Sequence, residues 1–252
     1  MRKLLLLLLV LALPVSGWAQ DTAAEDENAD LSLEMIATEE EDAFLFEDEE
    51  LLEVWDPIEP VNRAFFWFND KLYFYLLKPV ARGYRRAVPE PWRVSVKNFF
   101  SNLAAPVRII NSGLQGKFAH AGNEITRFTV NTTIGIGGFF DTAKDHFNIR
   151  THVEDTGQTM GHYGVGPGPY LVLPILGPSN LRDGIGKFAD SRMNILYYIS
   201  EGRNYYGLRV YDKVNDLSLD KDTYEGIKKD ALDPYLFVRD AFMQYRQNKI
   251  EN

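Results

Sequence analysis

The most constraining stretch of the chain runs from Thr156 to Asp190: TGQTMGHYGVGPGPYLVLPILGPSNLRDGIGKFAD. Eight of its residues are Gly and four are Pro, yet Tyr163, Tyr170, Leu171, Val172, Leu173, Ile175 and Leu176 sit among them. Glycine gives up backbone order and proline removes backbone donors, so regular helix is not expected here. Flexible linkers are seldom so apolar. The composition predicts a shaped, backbone-rich apolar element held against something greasy.

With 252 residues the chain has material for the core of one ordinary domain. It contains no cysteine, which excludes disulfides, thiolate metal sites and cysteine nucleophiles. The formal charge of -9 is unevenly placed. Residues 21–53 hold fifteen Asp or Glu and no Lys or Arg, whereas residues 54–252 hold twenty-five Lys or Arg against twenty-one Asp or Glu. The body is therefore mildly basic, and the acidity belongs to an arm.

Met1-Arg2-Lys3, the apolar run Leu4 to Val15 and the small residues up to Ala19 have the pattern of a cleavable secretory signal over residues 1–19. The run is short for a membrane span, and no cysteine stands at the cleavage point for a lipid anchor. Residues 20–53 are expected to form an acidic disordered linker. Its apolar groups Met35-Ile36, Phe44-Leu45-Phe46 and Leu51-Leu52 could instead dock on a partner or on the body.

The folded body is expected over residues 54–246, with 247–252 as a fraying tail. Asp56-Pro57-Ile58-Glu59 carries a capping acid and a first-turn proline, which predicts a helix start. Beyond it Val61, Phe65, Phe68, Leu72, Tyr75 and Leu76 share an arc of roughly 100°. Asn62 and Asn69, seven apart, border that stripe, and Phe66, Trp67, Tyr73, Phe74 and Leu77 occupy other faces. Such a helix is either a central core helix or one lying in a membrane interface. Pro79 is expected to end it before the cluster Arg82, Arg85 and Arg86. Further helices are expected from Trp92 to about Leu103, around Val107–Ile110, and from about Ala119 to Thr133 with Ile125 and Phe128 on one face and Arg127 off it.

Ile134-Gly135-Ile136-Gly137-Gly138-Phe139-Phe140 then brings glycines whose spacing refuses a dinucleotide fingerprint, since Phe140 stands where the third glycine would be. An apolar, uncharged run of this kind predicts a mobile or turn-like loop facing a membrane or ligand, with a buried core turn as the competing reading. The four histidines, at 120, 146, 152 and 162, form no HExxH motif, and no GxSxG nucleophile turn is present. The chain is not expected to be an enzyme; no metal, cofactor or nucleic-acid partner is expected.

An ordered set of short motifs carries a resemblance. Asp56-Pro57-Ile58-Glu59 with Asn62-Arg63 and Phe68-Asn69 comes first; Thr126-Arg127-Phe128, Asn131-Thr132 and Gly135 to Asp141 follow. Gly161-His162-Tyr163-Gly164-Val165-Gly166, Gly168-Pro169-Tyr170, Leu173-Pro174, Leu181-Arg182-Asp183 and Asp233-Pro234-Tyr235 with Val238-Arg239 complete it. The set resembles the MlaA (VacJ) family across essentially the whole body.

The resemblance implies a mainly α fold: a single ring-like helical domain in the inner leaflet of the Gram-negative outer membrane, around an amphipathic channel. It implies a part in lipid asymmetry, passing misplaced outer-leaflet phospholipids to a soluble periplasmic carrier in association with a trimeric porin. Ile134, Gly135, Ile136, Gly137, Gly138, Phe139 and Phe140 would be the flexible apolar loop beside the channel. Asn62, Phe68 and Asn69 would belong to the helix that controls it, and Gly161, Tyr163, Gly164, Gly166 and Tyr170 to an apolar frame packed on that helix and loop. Family members are usually lipoproteins, so the missing cysteine leaves anchoring to apolar helices, a porin, or a misplaced start codon. Two other readings stay open: a periplasmic lipid-acting hydrolase using His162 with Asp155 or Asp183, and a porin-bound scaffold.

Overall fold

The structure is a computed structural model that describes residues 54–200, 203–220 and 223–251. The signal and acidic-arm assignments fall outside the described residues. Helix α1 spans Glu59–Leu72 and begins later than the Asp56-Pro57 signal suggests. Ile58 stands at the cap without a side-chain bond, and Pro60 takes a first-turn position where no donor is missed. Asp56 is used inward instead: its carboxylate accepts from Asn62 Nδ2 at 2.8 Å and from the Tyr235 hydroxyl.

Pro79 does not end the first helix. A π-helical turn, Tyr73–Leu77, follows α1, and α2 continues over Lys78–Ala87. The N–H of Lys78 reaches back to the Tyr73 carbonyl, one residue further than in an α-helix. That wide turn precedes a ring that can donate no hydrogen bond, so the chain stays helical through the proline.

Helices α3 (Glu90–Leu103) and α4 (Ala105–Leu114) each carry a proline in the first turn. Helix α5 spans Phe118–Thr133, and the short α6, Thr142–Phe147, is capped by Asp141. Thr156 to Asp190, expected to avoid regular helix, contains two helices flanking a hairpin. Helix α7 (Thr156–His162) precedes antiparallel strands β1 (Tyr170–Leu173) and β2 (Gly177–Asn180), and α8 follows over Leu181–Met193. Tyr170 pairs with Asn180 and Leu173 with Gly177. The helical glycines are tolerated because α7 and α8 touch through them. A Cβ on Gly186 would lie 2.6 Å from Gly157 N, and one on Gly157 would lie 2.4 Å from Asp183 Oδ1. Close packing offsets the backbone entropy that glycine costs.

Helices α9 (Ile195–Ile199), α10 (Arg203–Leu219), α11 (Thr223–Asp230) and α12 (Pro234–Glu251) complete the chain. Helix α12 runs past residue 246, where a fraying tail was expected to begin. It rests on α7, so a Cβ on Gly161 would meet Ile250 Cδ1 at 2.6 Å. Helix α4 packs on α5, α10 on α2 and α3, and α1 on β1.

The apolar core is small and divided. One cluster joins Val96, Phe100, Leu103 and Leu196; the other joins Tyr170, Val172 and Tyr235. Among the described residues 23 buried side chains are polar or charged against 13 apolar ones, reversing the usual composition of an interior. No described helix is long and apolar enough to cross a membrane.

Candidate functional site

Asn62 and Asn69 act as a surrogate third strand of the hairpin. Asn62 Nδ2 donates to the Tyr170 carbonyl at 2.9 Å, and its Oδ1 accepts the Val172 N–H at 2.9 Å. Asn69 Nδ2 donates to the Leu173 carbonyl at 3.0 Å, and its Oδ1 accepts the Ile175 N–H at 2.7 Å. Seven residues of helix rise about 10.5 Å and three residues of strand about 10 Å, so two amides two turns apart fit the free edge of β1. An otherwise orphaned strand edge is thereby satisfied within the fold. Phe68, on the same helix, points outward and is 44% exposed.

The hairpin presents the exposed residues Ile175 and Leu176 at its tip. Of the proposed frame, Tyr170 is fully buried beneath α1, edge-on to Tyr235. Gly161 touches α12, as described. Tyr163, Gly164 and Gly166 lie on the surface between α7 and β1. Gly164 has φ +81° with open space around it, so its requirement is conformational. Tyr163 is anchored by its hydroxyl, which donates to the Leu114 carbonyl.

The Ile134–Phe140 segment is a hydrogen-bonded turn that caps α5. Gly137 N–H bonds the Thr132 carbonyl at 2.9 Å, Gly138 N–H that of Asn131 at 2.8 Å, and Phe140 N–H that of Gly135 at 3.0 Å. These bonds satisfy carbonyls that a helix end leaves open. Ile136, Gly137 and Gly138 all take positive φ, at 53°, 70° and 94°. A Cβ on Gly138 would lie 2.5 Å from Asn102 Cβ, and one on Gly135 would lie 2.4 Å from the Phe140 carbonyl oxygen. Phe139 stacks on Phe99 with centroids 4.8 Å apart. Ile134, Ile136 and Phe140 remain 61%, 66% and 54% exposed, so the hydrogen-bonded turn presents an apolar tip.

Behind the turn the site is ionic. Arg127 Nη2 reaches both Asp141 carboxylate oxygens, at 2.9 and 2.7 Å, and Asn131 Nδ2 donates to Asp141 Oδ1 at 2.9 Å. Burial pushes the Asp141 carboxyl up, but the bonds from Arg127 and Asn131 outweigh it and hold the pKa below the ordinary carboxylate value. One helical turn earlier Glu124, fully buried, accepts from Arg108 Nε at 2.6 Å, Thr151 Oγ1 at 2.8 Å and the His152 N–H at 2.7 Å.

Helix α5 is thus inside out. Glu124, Arg127 and Asn131 face inward while Ile125 is 51% exposed, so the face that Ile125 was expected to share with Phe128, away from Arg127, is turned outward at Ile125. Helix α1 repeats the inversion, burying Asn62 and Asp70 and exposing Val61, Phe65 and Phe68. So does α8, with Arg182 and Asp183 inside and Leu181, Ile185 and Phe188 outside. Stripes of this size mark a surface that meets lipid or protein.

The carboxylates considered as partners for His162 are otherwise engaged. Arg246 Nη1 and Nη2 hold Asp155 at 2.7 and 2.9 Å, and Arg246 Nε lies 2.6 Å from Asp183 Oδ2. His162 itself is exposed. A feature not foreseen is the pairing of His120 with His152, rings stacked 3.9 Å apart. They are thirty-two residues apart in the chain, and no spacing rule connects them.

A mainly helical molecule with an ion-paired interior and apolar stripes turned outward defines a class: proteins of apolar interfaces. The comparisons are specific within that class. The MlaA lipoprotein family profile matches residues 54–249. The chain belongs to the MlaA family. An Escherichia coli K12 protein named intermembrane phospholipid transport system lipoprotein MlaA is 38% identical over 197 residues, covering 75% of this chain and 76% of the relative. The Haemophilus influenzae protein of that name is 30% identical over 207 residues, covering 78% and 80%. A solved structure described as the structural basis for maintenance of bacterial outer membrane lipid asymmetry aligns with a TM-score of 0.70 and 35% identity, over 77% of this chain and 98% of that one.

Proposed function

We propose that this chain is the outer-membrane component of an intermembrane phospholipid transport system, removing misplaced phospholipids from the outer leaflet and so maintaining lipid asymmetry. The observation that carries the reading is the inversion of α1, α5 and α8, whose apolar stripes face outward over a hydrogen-bonded polar interior. Exposed stripes suit the hydrocarbon of one leaflet, and no described helix is long and apolar enough to cross a membrane. The names of the relatives point the same way.

In this reading the domain is ring-like and sits in the inner leaflet around an amphipathic channel. A phospholipid crossing a leaflet must keep its phosphate out of hydrocarbon, so the path needs polar and apolar groups side by side. The turn Ile134–Phe140 supplies an apolar tip next to the Arg127–Asp141 pair, and α1 holds the hairpin through Asn62 and Asn69. The side chains of Ile134, Ile136 and Phe140 are then the groups of this turn that a passing lipid meets. A soluble periplasmic carrier receives the lipid, a trimeric porin holds the ring in place, and a cleaved signal delivers the chain to the periplasmic side.

The test is genetic and chemical. Deleting the gene should raise outer-leaflet phospholipid, measured by surface labelling of intact cells, and the wild-type chain should restore the parental level. An unchanged outer leaflet in the deletion strain would remove the proposal.

A further inference from the structure

The stacked His120 and His152 sit where a short strap crosses the body. His120 lies in the first turn of α5, and His152 lies in residues 149–154, between α6 and α7. The strap is tied down on both sides of the stack. Arg127 Nη1 donates to the Ile149 carbonyl, and Glu124 accepts from Thr151 Oγ1 and the His152 N–H. At the far end Glu154 accepts from Gln115 Nε2 at 2.9 Å and from Lys117 Nζ at 3.0 Å. Arg127 also holds Asp141, the acid that caps α6 after the apolar turn, so strap and turn share one guanidinium.

The two imidazole rings are 3.9 Å apart and 18° from parallel. Both Nδ1 atoms are buried and lack a hydrogen-bond partner. A neutral imidazole can leave Nδ1 as a bare lone pair, whereas a charged one carries a proton there and needs an acceptor. The nearby acceptors are distant or taken. Glu154 Oε1 stands 4.0 Å from His120 Nδ1 and already holds Lys117, while Glu124 is paired with Arg108. Arg127 adds a cation that repels charge on His152, and Arg150, in the strap itself, is exposed. Burial, and then the neighbouring His120, push the His152 pKa below its ordinary value, with Glu124 and Glu154 opposing them incompletely. The neutral ring therefore contributes stability that is present above about pH 6.5 and lost as pH falls below it.

We propose that the His120–His152 stack is an acid-released clasp, which holds residues 149–154 on α5 while the rings are neutral and lets them go when both are charged. Release takes the Ile149 carbonyl from Arg127 and leaves that guanidinium to Asp141 alone, so a fall in pH reaches the base of the apolar turn. This goes beyond the transport role and does not depend on it.

The experiment is hydrogen exchange of the full chain in detergent at pH 7.5 and pH 5.0, corrected for the intrinsic effect of pH on exchange and read by mass spectrometry. Protection of amides 149–154 should fall several-fold at pH 5.0 relative to that of β1. In His152→Phe, which keeps an aromatic stack and cannot take a proton, the fall should disappear. His152→Gln, uncharged and able to accept a hydrogen bond, serves in the same way if the Phe variant does not fold. Unchanged protection in the parent, an equal fall in β1, or a fall that persists in the folded variant overturns the proposal.

Discussion

Asn62 and Asn69 show how much of the fold rests on single polar side chains. Asn62 satisfies one carbonyl and one N–H of β1, at 1% exposure, and Asn69 satisfies the last carbonyl of β1 and the Ile175 N–H of the hairpin turn. Replacing Asn62 with Ala leaves a buried donor and acceptor unpaired, at a cost of about 2–3 kcal/mol. Asn69→Ala should cost less, about 1 kcal/mol, because Ile175 is exposed and water can replace the amide. Chemical denaturation in detergent reads both, and equal losses would count against the strand-surrogate role. The seven-residue spacing of the two amides was legible in the sequence, where they border the aromatic stripe. Their partner was not: Pro174, Gly177 and Pro178 obscure strand alternation, so nothing signalled a hairpin edge needing donors and acceptors.

For the helices, periodicity was legible and its direction was not. The apolar stripe of α1 and the helix from Trp92 to about Leu103 could be read from residue spacing alone, whereas Pro106, within the first turn of α4, looks in sequence like a break. Whether a stripe faces a core or a lipid depends on what the opposite face finds, and that is set by distant residues such as Thr151 and Asp141. Glycine was misleading for the same reason: at Gly157 and Gly186 it permits helix contact that only the tertiary structure reveals. The turn after α5 gives a sharp prediction. Gly138→Ala adds a Cβ 2.5 Å from Asn102 Cβ at φ 94°, which should destabilise by about 1–3 kcal/mol. The neighbouring Gly137→Ala meets open space and should cost only the backbone strain, so the ranking of the two melting temperatures checks the turn.

Helix α10 carries a proton-linked weakness. Burial, and then the neighbouring Asp216, push the Asp212 pKa up to about 6. The folded chain therefore holds this proton more tightly than the unfolded one, and stability from this group falls as pH rises from about 4 through about 6. Asp212→Asn should flatten that slope and stabilise the protein at pH 7 by about 1 kcal/mol after solvent screening. Thermal melts at pH 5 and 7.5 measure it; a variant whose melting temperature stays as pH-dependent as the parent's places the proton elsewhere.

At the scale of the molecule, family and fold class were legible from motif order, because the motifs mark backbone positions with special demands: glycines at positive φ, amides on a strand edge, an acid paired with Arg127. The interior was not legible, since a core of ion pairs looks in sequence like a solvated face. A polar interior with apolar faces outward makes sense if phospholipid, not water, meets the exposed tip of the Ile134–Phe140 turn. Photo-crosslinking in living cells tests that most directly, with reactive residues placed at 134, 136 and 140 and at the buried position 124 as control. Phospholipid attached from the three tip positions and not from 124 is the predicted result. No lipid from any tip position, in a strain whose asymmetry the labelled protein restores, would contradict it.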